Sequence, residues 1–387
     1  QDDCVDNTII GYRANQAALS AGGGDNNTGV GSQCLGQQNE TTGSNNTCLG
    51  AVSLTYLSSG AGNTAIGKSS LGAVTTGGYN TAVGYSSGHL LLDAENNTLM
   101  GYAAGYYLGS DAADDNTFIG FKAGFSGETD NANGNTATDN VAVGSFAMGG
   151  NTGSATSNLF TAYSMVAIGK NAGYSLTSGK QSVFIGQAAG YAVTTGITNV
   201  FIGQDAGDGV TTGNSNICIG YNTETSANNS TDQIVIGTTI TGGENDQFTF
   251  GKASNLVQNE FDTDAAWTRT SDIRKKRNIK DDNLGLEFIN KLRPVTHQWK
   301  PSNEFPKEWD EYSEENNMNL DATMHGLIAQ EVKEALDDVG VDTFSGWKER
   351  KDGSQTVSRE MFITPLIKAV QELSAEVKSL KQQLEDK

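Results

Sequence analysis

The segment SDIRKKRNIK, residues 271–280, places a serine five residues before a lysine inside a strongly basic run. A serine hydroxyl becomes a nucleophile when a base removes its proton, and a lysine amine can be that base where burial or nearby cations favour its neutral form. Ser271 and Lys276 are therefore a candidate nucleophile and base. Because residues five apart do not share a helix face, the pair requires an extended or turned segment, or a meeting between chains. On the residues alone, a solvated basic turn capped by Ser271 is the simpler interpretation.

The composition changes sharply just before this segment. Residues 1–270 hold 43 of the 48 glycines, with 7 Lys and Arg against 22 Asp and Glu. Residues 271–387 hold 5 glycines, with 18 Lys and Arg against 23 Asp and Glu. This shift predicts a domain boundary near residues 265–271. The acidic excess argues against nucleic acid and anionic membranes as partners, and the sequence has no run of 18 apolar residues that could insert into a membrane.

A pentad of the type NTIIG, first found at Asn7, occurs 13 times at steps of 17 to 25 residues. Each unit is too short to bury its own apolar face, whereas stacked units share one core and pair their backbones from coil to coil. We therefore predict an all-β repeat solenoid, a β-roll, over residues 1–250, and a neck or linker over residues 251–270. We expect the Ile or Val before each pentad glycine to point into the core, the glycine to form a corner, and the Asn to line up along the stack.

Neither the cysteines nor the acidic residues indicate a disulfide framework or a metal site. Cys48 and Cys218 occupy the middle position of the pentad, where most other copies hold apolar residues, so we expect them to be buried. A bridge between Cys4 and Cys34 remains open. The acidic turn SDAADDN, residues 110–116, matches no metal-binding loop, and we expect neither a metal nor a cofactor.

Two steps between pentads are longer than the rest, and the extra residues fall at about 126–139 and 150–163. Insertions in solenoids form loops on one face, often the binding face, although drift in a tolerant loop explains them equally well. The second insertion is the better candidate for a receptor-binding loop because it contains Leu159, Phe160 and Tyr163. Aromatic side chains stack on sugar rings and lose little entropy when they become ordered.

The C-terminal part has the pattern of a small α+β domain. We predict a short helix over residues 282–292, a strand in VTHQW, a strand leading into a helix from about residue 329, and a hairpin that turns at Asp352 and Gly353. From Ile363 to Leu384, apolar residues alternate by 3 and 4 in an unbroken a/d heptad series. This series predicts a coiled-coil helix over about 360–387, whose partners are other copies of the chain. Val or Ile at a with Leu at d would by itself favour a dimer.

The motifs SDIRKKRNIK, LRPVTHQWK and HGLIAQEV, followed by the heptad helix, resemble the intramolecular chaperone domain of endosialidases and other phage tail spikes and fibres. The resemblance covers about residues 271–387. It implies a domain that assembles three chains and then cuts itself off, once and in cis, so that no external substrate is expected. Lys275 departs mildly from the family pattern, which often has Leu there. The roles implied are catalysis (Ser271, Lys276), its support (Asp272, Asn278) and the cleaved bond (Thr270, Ser271). His325 is a further candidate for support, although a structural histidine beside a strand is the simpler interpretation.

The pentads resemble the β-rolls in the heads of trimeric autotransporter adhesins and the NTAIG arrays of phage tail fibres, over about residues 7–240. Together the resemblances imply a homotrimeric virion fibre for host attachment. Its partners would be its own copies, other virion tail proteins, and a host receptor that is a glycan or outer-membrane component. A cell-surface or secreted adhesin is the alternative. A glycan-degrading tail spike would need paired carboxylates, and no acidic pair recurs at a fixed place in the repeat.

Overall fold

The computed structural model describes residues 6–15, 24–36, 42–109, 113–125, 135–150, 160–260, 264–268, 271–316, 318 and 320–386. The chain separates into two compact units, Gln1–Thr270 and Ser271–Lys387, called here the N-terminal and C-terminal units. The predicted fold class is confirmed. The N-terminal unit is a β-solenoid, and the C-terminal unit is a small α+β unit that ends in a long helix.

Each pentad of the N-terminal unit supplies a short strand made of its second to fourth residues. Up to residue 219 these strands are β1 (Thr8–Ile10), β2 (Thr28–Val30), β3 (Thr47–Leu49), β4 (Thr64–Ile66), β5 (Thr81–Val83), β6 (Thr98–Met100), β7 (Thr117–Ile119), β8 (Val141–Val143), β9 (Val166–Ile168), β10 (Val183–Ile185), β11 (Val200–Ile202) and β12 (Ile217–Ile219). Neighbouring strands are parallel and in register, as in the pairing of Thr64 with Thr81 and Ile66 with Val83. Equivalent residues of successive coils therefore form straight rows.

The solenoid ends in longer strands. They are β13 (Thr223–Glu224), β14 (Ile234–Thr238), β15 (Ile240–Thr241), β16 (Gln247–Lys252), β17 (Asn255–Glu260) and β18 (Asp264–Thr268). Strands β14 and β16 continue the parallel stack, whereas β17 and β18 join it antiparallel. The segment 251–270, for which the sequence suggested a neck or linker, thus contains antiparallel strands that extend the same sheet.

The side chain at the middle of each strand points into the core, as Ala82, Phe118 and Phe184 do with no exposed surface. The residue before each pentad glycine faces outward instead, and Leu49 and Met100 are 51% and 44% exposed. The expectation that this Ile or Val fills the core was therefore wrong. Side chains alternate between the two faces of a strand, so a buried middle residue forces its two neighbours outward. Cys48 and Cys218 occupy the middle position and are buried and free, as expected.

The pentad asparagines form the expected row along the stack, and from Asn27 onward they are buried. The Oδ1 atom of Asn63 accepts a hydrogen bond from the backbone N–H of Asn80 at 3.0 Å and another from its Nδ2 at 3.1 Å. The same Nδ2 donates to the carbonyl of Ala94 at 2.8 Å. The pattern repeats between Asn80 and Asn97, and each amide is thereby satisfied inside the core. Met165 and Ser182 interrupt the row.

The pentad glycines form corners that no other residue fits. Gly101 has a φ of +135°, and a Cβ placed on it would lie 2.3 Å from the carbonyl oxygen of Gly120 in the next coil. Both the backbone conformation and the close approach of neighbouring coils exclude a side chain there.

The C-terminal unit matches the elements predicted from its sequence. They are α1 (Leu286–Lys291), β19 (Val295–His297), β20 (Met324–Gly326), α2 (Ala329–Asp338), β21 (Trp347–Glu349), β22 (Gln355–Val357) and α3 (Ile363–Glu385). Strands β19 and β20 pair antiparallel, as do β21 and β22. Phe288 of α1 packs against Phe344 and Phe362, and with Val332 and Leu336 of α2 these rings form the core. Among the described residues, no helix is long and apolar enough to cross a membrane.

Candidate serine–lysine site

Ser271 and Lys276 lie in direct contact. The Nζ atom of Lys276 donates a hydrogen bond to Oγ of Ser271 at 2.7 Å. A single turn of 3-10 helix, Ile273–Lys275, followed by an extended Lys276, brings the two side chains together. The segment is thus turned, which is one of the arrangements that the spacing of five residues allows. The contact distance is suited to proton transfer between a hydroxyl and an amine.

Asp272 holds this turn in place. Its carboxylate accepts a hydrogen bond from the backbone N–H of Arg274 at 2.8 Å and pairs with the guanidinium of the same residue at 2.6 Å. This pairing lowers the pKa of the Asp272 carboxyl and raises the pKa of Arg274. Asp272 therefore stabilises the turn and pairs with Arg274. Because its charge is paired with Asp272, Arg274 is a weak candidate for one of the cations that act on the serine–lysine pair.

Asn278 contributes a backbone feature. Its φ is +55°, in the left-handed region that Asn adopts more readily than most residues. It bends the chain two residues after Lys276. Thr270, on the other side of the expected cleavage site, lies outside the described residues.

The pair is open to solvent in the single chain. The side chains of both Ser271 and Lys276 are exposed. A serine becomes a nucleophile when a neutral base takes its proton, and burial in general favours the neutral form of a lysine. The single chain therefore provides the contact between the two side chains but leaves both of them exposed.

His325 lies on β20, where its backbone pairs with Thr296. Its side chain is exposed. Among the hydrogen bonds of the described residues, none joins His325 to Ser271 or Lys276. Its supporting role stays a prediction.

The motifs LRPVTHQWK and HGLIAQEV of the C-terminal unit both line a cavity of about 510 Å³. His297 and Trp299 of LRPVTHQWK face Gly326, Leu327 and Gln330 of HGLIAQEV across it. Pairing of β19 with β20 brings the two motifs together. They shape the scaffold of the unit, and the serine–lysine pair is built from SDIRKKRNIK alone.

A family model described as chaperone of endosialidase matches residues 271–341. The match begins at Ser271 and covers both the serine–lysine pair and the β19–β20 strands, and it ends before α3. The first part of the C-terminal unit is thus similar to that family. Comparison with curated proteins and with solved structures gave no significant match.

Two of the three predicted receptor-binding residues, Phe160 and Tyr163, are described, and both belong to the N-terminal unit. Phe160 is completely buried in the solenoid core. Its ring is therefore not available to a receptor, contrary to the expectation from the sequence. Tyr163 is half-buried, and Nζ of Lys180 lies 4.9 Å from the centre of its ring. Leu159 lies outside the described residues. Phe160 belongs to the buried core of the solenoid. The inserted residues before it interrupt the repeat, so its inward position could not be recognised from the sequence.

The sequence analysis missed a row of exposed aromatic rings on another side of the solenoid. It includes Tyr85, Tyr102 and Phe121, each of which directly follows a pentad glycine. Aligning the residues after each glycine would have found it, because equivalent positions of successive coils stack on one another.

Proposed function

We propose that the protein is a homotrimeric virion fibre that attaches to a host cell, with a C-terminal unit that acts as an intramolecular chaperone. Similarity of residues 271–341 to the chaperone of endosialidase supports the assembly role. The repetitive β-solenoid supports the fibre role, since each coil extends the stack by one strand spacing. The observation that carries the proposal is the apolar surface of α3, which its own unit leaves uncovered.

Helix α3 uses one side to pack within its unit and leaves its heptad side free. Pro365 and Ala369 are buried, and Glu372 accepts a hydrogen bond from the backbone N–H of Leu286 at 2.7 Å. Every a and d residue is at least 41% exposed, namely Ile363, Leu366, Val370, Leu373, Val377, Leu380 and Leu384. An apolar stripe of this length needs a partner in water, and helices of other copies present a matching stripe.

The outward side of the parallel sheet supports self-association as well. We call it the aliphatic face, made of the first and third residues of β1–β12 and the equivalent residues of β14. From β8 onward both positions are Val or Ile. Since this face repeats at every coil over the whole solenoid, a partner that covers it needs the same spacing, which another copy of the chain has. The similarity to the chaperone family favours a trimer over the dimer that the a and d residues favour.

We further propose that the C-terminal unit releases itself. Lys276, in its neutral form, takes the proton of the Ser271 hydroxyl, and Oγ attacks the carbonyl carbon of Thr270. The bond from that carbon to the Ser271 nitrogen breaks, and the nitrogen receives the proton from Lys276. Water then hydrolyses the resulting ester, giving a carboxylate at Thr270 and a free amine and hydroxyl at Ser271. The 2.7 Å contact supports the first step, and assembly of the chains is expected to provide the burial that Lys276 lacks in the single chain.

Release of the C-terminal unit after assembly would make the assembly of the fibre effectively irreversible. The chaperone reduces the entropic cost of bringing three chains into register, and its loss leaves a fibre with no easy route back to separate chains. The fibre would then persist through a high barrier to unfolding.

The first test is the intact mass of freshly expressed protein under denaturing conditions, for wild type, Ser271→Ala and Lys276→Ala. Lys275→Ala is the matched control, because it removes a neighbouring basic residue outside the pair. We expect fragments of residues 1–270 and 271–387 from wild type and the control, and uncut chains from the other two variants. Uncut wild type in a folded trimer would remove the cleavage proposal and leave the chaperone.

The second test is the native mass by light scattering, for uncut Ser271→Ala protein and for the same protein with Leu373→Asp. We expect a trimer from the first and loss of the trimer from the second, because a buried carboxylate opposes helix packing at a d position. A monomer from the uncut parent would refute the fibre proposal.

A further inference from the structure

Six aromatic rings form a connected row across coils β5 to β10, on the side of the solenoid that follows the pentad glycines. In chain order they are Tyr85, Tyr102, Phe121, Phe146, Tyr174 and Tyr191, and we call them the aromatic row. Successive ring centres are separated by 5.4, 5.2, 5.2, 6.1 and 4.9 Å. Tyr85, Tyr102 and Phe121 are nearly half exposed although they stack on one another.

The repeat fold does not require these rings. In several other coils the residue that directly follows the pentad glycine is small or polar, as at Ser32, Ala51 and Gln204. Those coils keep the same strand pairing. Tyr12 and Tyr221 occupy the same position in the first and twelfth coils, but the ring contacts of the described residues do not connect them to the row. The aromatic row is also confined to part of the solenoid, in contrast to the aliphatic face, which runs along the whole stack. The coils can stack without these exposed rings, so a ligand explains the rings better than the stacking does.

Charge separates this surface from the rest of the unit. The stretches 85–90, 102–107, 121–125, 145–150, 170–175 and 187–192, which follow the glycines of these coils, contain no Asp or Glu. Residues 1–270 as a whole hold 22 of them. Nζ of Lys68 lies 5.8 Å from the ring centre of Tyr85, and Nζ of Lys122 lies 5.9 Å from that of Phe146. Among the described residues, neither lysine forms a salt bridge with a carboxylate.

We propose that the aromatic row binds a saccharide chain that carries carboxylates. Aromatic rings pack against the C–H groups of sugar rings, tyrosine hydroxyls bond their hydroxyls, and the lysine ammonium groups pair with carboxylates. A ligand built of repeating units suits a row that repeats at each coil, about every 4.8 Å. Two lysines are too few to hold a nucleic acid against the acidic remainder of the unit. This inference rests on the proposed role in host attachment, and it specifies the chemical class of the receptor.

The test is titration calorimetry of full-length trimer with oligosaccharides of matched length. The acidic probes are oligomers of galacturonic, glucuronic and N-acetylneuraminic acid, and the neutral probe is a cello-oligosaccharide. We expect at least one acidic probe to bind and the neutral probe to bind at least tenfold more weakly. Tyr102→Ala is expected to weaken acidic binding at least fivefold, and Lys122→Gln to remove most of the preference for the acidic probe. Gln204→Ala, at the equivalent position outside the row, serves as control and is expected to bind like wild type.

Three results would each overturn the inference: no binding of any acidic probe, equal binding of the neutral probe, or wild-type binding by Tyr102→Ala. Circular dichroism of the variants shows whether they retain the solenoid. Since the aromatic row shares no residue with the aliphatic face or with α3, the native mass of the same preparations tests the fibre independently. A trimer that ignores all probes removes this inference and leaves the fibre, whereas a monomer removes the fibre itself.

Discussion

Replacing Asn80 by Ala removes one member of the buried asparagine row and tests what holds the coils together. The side chain of Asn80 takes part in four hydrogen bonds. Its Nδ2 donates to Asn63 Oδ1 and to the carbonyl of Ala94, and its Oδ1 accepts from the backbone N–H and the Nδ2 of Asn97. Each buried bond contributes a net of about 1 kcal/mol, and the backbone N–H of Asn97 is left without its acceptor. We expect a loss of about 4 kcal/mol in the free energy of unfolding.

Ser182→Ala is the internal control, because Ser182 occupies the same position of the pentad with a shorter side chain. Its hydroxyl donates to the carbonyl of Lys180 at 3.0 Å and accepts from the backbone N–H of Asn199 at 3.0 Å. With two bonds at stake instead of four, the loss should be about 2 kcal/mol.

Urea unfolding of the full chain, followed by far-ultraviolet circular dichroism at one protein concentration, measures both variants. A fixed concentration is needed because the proposed self-association would contribute to the apparent stability. The reasoning would be refuted if Asn80→Ala unfolded at the same urea concentration as wild type or above Ser182→Ala. In that case the apolar middle residues alone would hold the stack, and the amides would only satisfy one another.

Two further predictions concern a corner glycine and a partly buried carboxylate of the solenoid. Gly101→Ala should destabilise the solenoid by about 3 kcal/mol or more, because its Cβ would meet the carbonyl of Gly120 and its φ is +135°. Gly353→Ala is the comparison, because Gly353 lies in an open hairpin turn of the C-terminal unit. In the same urea assay it should lower the free energy of unfolding by only about 1 kcal/mol. Burial and the neighbouring Asp208 raise the pKa of Glu224 from 4.5 to about 8, so the folded state holds a proton that the unfolded chain releases. Stability should therefore fall as the pH rises from about 5 to above 8, and Glu224→Gln should remove that part of the slope; an equal slope in the variant would contradict the assignment.

The C-terminal unit could be predicted from sequence almost element by element. The strand and helix around residues 324–338, the turn at Asp352 and Gly353, and α3 each rest on signals within a few neighbouring residues. The contact between Ser271 and Lys276 was expected only as one of several arrangements. A turn of 3-10 helix held by Asp272 selects it, and that turn depends on the pairing of Asp272 with Arg274.

The interior of the solenoid could not be predicted in the same way. The pentad places apolar residues at both its third and fourth positions, so a strand of three residues gives no clear inward face. The structure buries Asn80 and Ala82 and turns Thr81 and Val83 outward. Hydrophobicity alone predicts the opposite orientation of the strand, because Asn is usually exposed and Val is usually buried.

The sequence by itself determined that the chain repeats, where each coil turns, and that its last helix carries an apolar stripe, because these depend on spacing and on residues with special backbone freedom. Only the tertiary structure decided which side of each strand is inside. A buried amide is stable only when the next coil supplies its partner, and the interior positions in the middle of the strands hold apolar residues such as Ala, Cys, Leu or a stacked Phe. The same stacking brings Tyr85, Tyr102 and Phe121 into one row although they are 17 and 19 residues apart in the chain. Such contacts arise from the register between coils, which no single repeat contains.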